Sequence, residues 1–363
     1  MRIAQIAPLF ESVPPKLYGG TERVISYLTE ALVTLGHDVT LFASGDSVTA
    51  ARLLSPCKRS LRLDDKTGDH LLYHYVMLDQ VCEMAREFDV LHFHLDYLHY
   101  PFMRGCRVPY VATLHGRLDI PELWPLYRRH ANEPLVSISF SQRKPLRWVR
   151  WISNVYHGLP ARSFRCGTGK GGYLTFLGRI AREKRVDRAI QIAVEAGMPL
   201  KIAAKIDRAD RDYYESEIRL LLSQPGIEYI GEISEKEKCD FLGNAYAHLF
   251  PIDWPEPFGM CMIEAMACGT PTIAFGNGSV PEVLNHGVSG FVVDSIEAAV
   301  EAVPKIATLD RGMCRLEFEE RFDSLRMAED YVRIYESLSD HVDLPEHAEL
   351  ELIDDSTPDV AAV

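Results

Sequence analysis

Ser163-Phe164-Arg165-Cys166-Gly167-Thr168-Gly169-Lys170-Gly171-Gly172 divides the chain. A run so rich in glycine predicts a linker. On its N-terminal side, short apolar runs alternate with longer amphipathic ones. Arg2–Pro8, Val39–Ala43, Val90–Leu95, Tyr110–Leu114, Leu135–Phe140 and Trp151–Tyr156 read as strands. Thr21–Leu35 places Val24, Ile25, Leu28, Leu32 and Val33 at helical spacing, with Thr21 as N-cap and Gly36 just past the end. Tyr75–Phe88 reads as a second helix. Beyond the glycines the alternation restarts. Tyr173–Leu177, Leu200–Ala204, Glu228–Ile230, His248–Phe250, Thr272–Phe275 and Gly290–Val293 are expected strands. Asp187–Ala196, Ala209–Leu222 and Glu297–Lys305 are expected helices. Alternating strands and helices predict parallel sheets covered on both faces. The expected fold is therefore α/β: two doubly wound Rossmann-like domains facing a central cleft. The expected division is an N-terminal domain over 1–162, the linker over 163–172 and a second domain over 173–325. A helix over 326–340 is expected to return to the first domain, leaving an acidic tail over 341–363. Ligands of such sheets bind at the carboxyl ends of the strands, so the cleft is the default site.

Length and composition fit this division. A chain of 363 residues suits two domains. Hydrophobic residues at 47% and charged residues at 25% exclude disorder as the main state. A net charge of −13 argues against a nucleic-acid partner. No apolar stretch approaches the roughly 20 residues that span a bilayer, and the N-terminus reads as a strand, not a signal peptide. Eight cysteines with no C-x-x-C pair indicate neither a disulfide framework nor a zinc ribbon, so a cytoplasmic location is expected. The charge is uneven: residues 1–160 carry +2 and the remainder −15. Nine acids between Glu336 and Asp359, with no Lys or Arg among them, read as a solvated tail. Arg143, Lys144, Arg147 and Arg150, interleaved with Trp148 and Trp151, read as a solvated helix face. Peripheral contact with a membrane or an acidic acceptor is the alternative for that patch.

The chemistry concentrates in Trp254-Pro255-Glu256-Pro257-Phe258-Gly259-Met260-Cys261-Met262-Ile263-Glu264-Ala265-Met266-Ala267-Cys268-Gly269-Thr270-Pro271. Two prolines hold Glu256 in an extended loop. Gly259 opens a helix whose free N–H groups favour an anion, phosphate above all. Glu264 lies within that helix, and Gly269 and Pro271 end it. Ionised carboxylates only accept hydrogen bonds, which suits sugar and ribose hydroxyls. The bland alternative is one acid balancing the helix dipole and one surface glutamate. Upstream, Leu177-Gly178-Arg179-Ile180-Ala181-Arg182-Glu183-Lys184-Arg185 follows the first strand of the second domain. Arg179 and a lysine there can neutralise a diphosphate. In the first domain, Gly19 and Gly20 permit close approach of backbone to phosphate. His115 ends a strand, where a structural role is equally open. His92, His94 and Asp96 share a strand face and invite a metal reading, disfavoured because no D-x-D signature accompanies them.

The 254–271 string resembles the E-x7-E signature of retaining glycosyltransferases of the GT-B fold, family 4, with Glu256 and Glu264 as the two glutamates. The match extends through Thr272–Phe275, Gly278–Val283 and Gly287–Phe291. The resemblance implies that Glu256 meets donor-sugar hydroxyls, that the backbone around Phe258, Gly259 and Met260 meets sugar and phosphate, and that Glu264 holds the ribose. The G-R-x-x-x-x-K pattern assigns the diphosphate to Arg179 and Lys184. Many relatives have glycine after that lysine, where this chain has Arg185. Gly19 and Gly20 are implied to approach the donor phosphate and the acceptor, and His115 to meet the sugar near its reacting centre. His157-Gly158 stands where relatives often have Asn-Gly. Asp96, Tyr97, His99, Asp119 and Glu122 are expected to shape the acceptor side.

The implied activity is a retaining, metal-independent hexosyltransferase without cofactor. Its donor would be a nucleotide sugar, UDP-glucose ahead of GDP-mannose. Its acceptor would be a carbohydrate, a lipid-linked glycan or a small molecule, in polysaccharide or glycoconjugate biosynthesis. A non-catalytic nucleotide-sugar binder is the alternative. A dinucleotide oxidoreductase is disfavoured because no G-x-G-x-x-G follows either first strand.

Overall fold

The computed structural model describes residues 1–16, 19–63 and 69–339. Tyr18 and the acidic tail from Asp340 onward lie outside the described residues. The first sheet comprises β1 (Arg2–Ile6), β2 (Asp38–Phe42), β3 (Arg52–Leu54), β4 (Val90–Phe93), β5 (Tyr110–Thr113), β6 (Leu135–Ser137) and β7 (Trp151–Asn154). They run parallel in the order β3-β2-β1-β4-β5-β6-β7. The second sheet comprises β8 (Leu174–Arg179), β9 (Leu200–Lys205), β10 (Ile227–Gly231), β11 (Ala247–Phe250), β12 (Thr272–Phe275) and β13 (Gly290–Val293). Its order is β10-β9-β8-β11-β12-β13, again parallel. Strands such as Val90–Phe93 and Thr272–Phe275 are buried at every position, as a sheet covered on both faces requires. The strand order reverses between β1 and β4 and between β8 and β11, which fixes where each sheet opens a crevice.

The halves meet through two adjacent stretches of chain. The Leu159 amide donates to the Phe322 carbonyl at 2.8 Å, and the Ser324 amide donates to Leu159 at 2.9 Å. The helix Ser324–Ser339 then covers the first sheet. Its Met327, Ala328, Tyr331 and Tyr335 share a core with Ile3, Val24, Leu28 and Val90. The glycine-rich stretch is not a free hinge. Gly167 donates to the Cys268 carbonyl, Gly169 to Gly243 and Gly171 to Asn244, at 2.8–3.0 Å, pinning it to the second sheet's domain.

Several local expectations are corrected. The first helix spans Gly20–Thr34 with Gly19, not Thr21, at the N-cap. The second spans His70–Met84 because the Asp69 carboxylate accepts from the Leu71 amide at 2.9 Å and starts it early. Exposed Leu71 and Leu72 had blurred its apolar period. The segment 209–222 is not one α-helix. Buried Tyr213 and Ile218 are five residues apart, and a π-turn over Tyr214–Ile218 brings both to the core. The basic patch is not a helix face either. Lys144–Leu146 is a single 3-10 turn, and Arg143 packs over Phe140 and Trp151.

Burial depresses eight of the described histidines, His37 and His74 included. His99 and His115 fall to about 3 and His248 to about 4, while His92, His94 and His157 lie well below the usual value. The unfolded chain takes up these protons below its ordinary imidazole value of about 6.5, and the folded chain does not. Stability is therefore fully present above that pH and lost as pH falls towards 3–4, by up to about 1.4 kcal/mol per pH unit per histidine. His99 stacks on Phe93 at 4.3 Å, and neither ring nitrogen has a hydrogen-bond partner. His99→Phe is expected to flatten the fall in urea midpoint between pH 7 and pH 5; an unchanged slope contradicts this account.

Candidate active site

The carboxyl ends of both sheets open onto one cleft of about 820 Å³, within the range of small-molecule sites. Gly19, Gly20 and His115 line it from the first sheet. Arg179, Lys184, Glu256, Phe258, Gly259, Met260 and Glu264 line it from the second. The structure thus brings together the candidates for the donor and the reacting centre, but not His99, Asp119 or Glu122, which do not line the cleft. Seven basic and six acidic side chains line the cleft, a local excess of positive charge in an acidic chain.

The loop after β11 is tightly specified. The Glu256 amide donates to Trp254 at 2.8 Å, and the Glu256 carbonyl accepts from the Ser279 amide at 2.9 Å. The Glu256 carboxylate pairs with the Lys184 ammonium and accepts from the Trp254 indole at 2.9 Å. Lys184 also lies over the Trp254 ring, 4.8 Å from its centroid. The helix Met260–Ala267 starts from Gly259 at φ +83° with no side-chain cap, so its first N–H groups are available to an anion. That helix is buried through Met262–Ala267, which holds Glu264 rigidly in place.

Arg179 ends β8 and pairs with Glu183, with Asp210 at 3.3 Å and with Asp207 at 3.8 Å. Arg185 does not compete with Lys184 for the cleft. It takes a left-handed conformation at φ +54° and is clamped by Asp187 at 2.7 Å and Asp253 at 2.8 Å. The Glu264 carboxylate lies 2.6 Å from the Lys238 ammonium. Lys238 also pairs with Glu235 at 3.2 Å, and Glu235 takes Arg23 at 2.7 Å and the Tyr27 hydroxyl at 2.9 Å. Burial opposes the charge on Lys238, but Glu264 and Glu235 outweigh it and keep its pKa above the usual lysine value. Arg23 and Tyr27 sit on the first helix of the N-terminal half, so this chain of charges spans both halves of the protein.

On the opposite wall His115 meets His94, with Nε2 and Nδ1 2.8 Å apart. Its ring stacks on His157 at 5.3 Å, and His157 meets Phe258 edge-on at 4.8 Å. Burial keeps these imidazoles neutral at physiological pH. His157, Lys238 and Arg23 are cleft residues without a role in the sequence reading, and His94 had drawn only a metal reading. The departure at His157-Gly158 was the one signal pointing towards any of the other three. His92 and His94 lie side by side at 4.0 Å, but their nitrogens are spent on hydrogen bonds. No group of three metal-ligating side chains occurs among the described residues. His99 is buried, Asp119 is engaged with Arg117 at 2.9 Å, and neither they nor Glu122 line the cleft. Asp96 and Tyr97 do line the cleft.

The family model for glycosyl transferases group 1 matches residues 167–322, and that for glycosyltransferase family 4 matches residues 18–159. The chain is 38% identical to N-acetyl-alpha-D-glucosaminyl L-malate synthase of Bacillus anthracis, over 87% of this chain and 93% of that one. The chain belongs to glycosyltransferase family 4. It is also similar to phosphatidyl-myo-inositol mannosyltransferase of Mycobacterium leprae, at 23% identity over 93% of this chain and 97% of that one. The fold of this glycosyltransferase matches sucrose-phosphate synthase from Thermosynechococcus elongatus with a TM-score of 0.73 at 18% identity, over 93% and 98% of the two chains. The fold is therefore GT-B. No helix among the described residues is long and apolar enough to cross a membrane.

Gly278 underlies the Glu256 loop. A Cβ there would sit 2.3 Å from the Glu256 amide nitrogen and 2.4 Å from its carbonyl oxygen, at a φ of +62°. Gly278→Ala must displace Glu256. Misplacement by about 1 Å can cost about 10²-fold in rate, so nucleotide release should fall at least tenfold while the cooperative unfolding transition persists. Wild-type turnover in this variant would show that the loop's position is unimportant.

Proposed function

We propose that this glycosyltransferase is a retaining, metal-independent hexosyltransferase that uses a nucleotide-diphosphate sugar, with UDP-glucose the first choice. The observation that carries the reading is the Lys184–Glu256 pair beside Arg179 and the uncapped start of Met260–Ala267. Each cation there already holds a carboxylate. An entering diphosphate would take Lys184 and Arg179, leaving the Glu256 carboxylate for sugar hydroxyls. The ribose diol would likewise engage Glu264 beside Lys238.

The catalytic work follows from charge. Cleavage of the glycosyl–phosphate bond leaves negative charge on the departing diphosphate, which Arg179, Lys184 and the helix start would stabilise. The acceptor hydroxyl would attack from the same face, passing its proton to the departing phosphate oxygen. Neutral His115 would hydrogen-bond the sugar, and Gly19 and Gly20 would let backbone approach phosphate and acceptor. Closure of the two halves would keep water from the donor.

The similarity to a relative named for N-acetylglucosaminyl transfer to L-malate supports a second donor and acceptor pair. A mannosyltransferase among the relatives supports a third donor, GDP-mannose. A panel of UDP-, GDP-, ADP- and TDP-sugars, with L-malate and oligosaccharides as acceptors, separates these choices. Selective release of one nucleotide diphosphate is expected, unaffected by EDTA. Glu256→Ala and Lys184→Ala are expected to reduce it about 10²- to 10³-fold, the usual scale for losing a transition-state contact. Binding of a nucleotide sugar with no turnover under any acceptor would identify a binding protein; no binding at all would falsify the reading.

A further inference from the structure

We propose that Gln5 and Tyr335 are positioning residues for His115: acting through His94, they fix its imidazole as the Nε2–H tautomer, so that Nδ1 is left to accept from a substrate hydroxyl. The inference deepens the role given to His115 above and rests on it.

The argument follows a continuous buried hydrogen-bond chain. The Gln5 amide nitrogen donates to the Tyr335 hydroxyl at 3.1 Å, and that hydroxyl lies 2.7 Å from His92 Nδ1. His92 Nε2 is 2.7 Å from the Thr113 hydroxyl, which is 2.8 Å from that of Tyr331. At its other end the Gln5 amide oxygen is 2.8 Å from His94 Nε2. An amide oxygen only accepts, so His94 must carry its proton on Nε2. Burial keeps His94 neutral, so its Nδ1 is bare and can only accept. The partner at that nitrogen is His115 Nε2, which must therefore donate. His115 is also neutral, so its Nδ1 carries no proton. That atom is buried and has no hydrogen-bond partner in the protein. A buried acceptor left unfilled costs about 1–3 kcal/mol; His115 lines the cleft, and a substrate hydroxyl reaching that nitrogen as the halves close would fill it.

The chain has one polarity throughout. Reversing the Gln5 amide would exchange donor for acceptor at every link and present an N–H at His115 instead. The amide nitrogen lies 3.4 Å from His92 Nδ1 and is met more closely by Tyr335. Its position is notable: it belongs to the last helix, Ser324–Ser339, which follows the whole second domain in sequence. A residue 220 positions beyond His115 thus sets which ring nitrogen carries the proton.

Long-range nitrogen–proton correlation spectra of the histidine-labelled protein read the tautomer directly. Wild-type His115 is expected as a single neutral form protonated on Nε2. Tyr335→Phe keeps the ring in the core but leaves the amide nitrogen only the long contact to His92 Nδ1 at 3.4 Å, so both tautomers should appear. The donor kcat/KM should fall about three- to tenfold, the worth of one hydrogen bond. In a His115→Ala background Tyr335→Phe should cost nothing further, because the effect runs through His115. Gln5→Met should give the same non-additive pattern should Tyr335→Phe prove poorly folded. A wild-type His115 protonated on Nδ1, or an equal loss from Tyr335→Phe in both backgrounds, overturns the proposal. Undiminished turnover in His115→Ala alone would instead remove the role of His115 while leaving the tautomer result standing.

Discussion

Parallel strands all end at the same edge of their sheet. That constraint organises the molecule, because every loop following a strand is delivered to one side. Where strand order reverses, neighbouring loops diverge and leave a crevice. Two such sheets set edge to edge bring the crevice between β1 and β4 against that between β8 and β11. Residues as distant in sequence as Gly19, His115, Arg179 and Glu256 then share one cavity. No single contact creates the site; the common direction of the strands within each sheet does.

Within that cavity the charges are arranged for exchange. Lys184 is held by Glu256, Lys238 by Glu264, and Arg179 by Glu183, Asp207 and Asp210. Buried charges must be compensated, and here each carries its counterion within the protein. A ligand bringing both anionic and hydroxyl groups can replace both halves of such a pair at once. A purely anionic ligand would leave the displaced carboxylates uncompensated. That asymmetry favours a nucleotide sugar over free phosphate.

The wall from the second sheet was legible because its residues lie on contiguous segments. The two glutamates sit on one loop and the helix it opens, and Arg179 and Lys184 lie on a strand end and the turn that follows it. The position after Lys184 is instructive. The G-R-x-x-x-x-K spacing favoured Lys184 over Arg185, and the carboxylates of Asp187 and Asp253 hold Arg185 elsewhere. The opposite wall was less legible because it is made by crossings. His157 reaches Phe258 only because the two halves meet there, and Lys238 reaches Arg23 through Glu235 on another helix. The break over 209–222 was hidden for a different reason. Spacing of three and four is what a helical pattern is searched for, and Tyr213 and Ile218 are five apart. The glycines of 163–172 announced flexibility by composition, yet their amides are tied to Cys268, Gly243 and Asn244.

The returning C-terminal helix has a consequence for how the protein is made. Gln5, His92 and Thr113 lie in the first half of the chain, but the hydroxyls that complete their hydrogen bonds belong to Tyr331 and Tyr335. Domains ordinarily fold in the order of their synthesis. Here the first sheet emerges from the ribosome lacking one of its covering helices, with polar groups meant for burial still facing water. Its core closes only after the entire second domain has been translated. The N-terminal half thus waits for the helix Ser324–Ser339. A nascent chain stalled before Ser324 would hold a finished second sheet beside an unsealed first one.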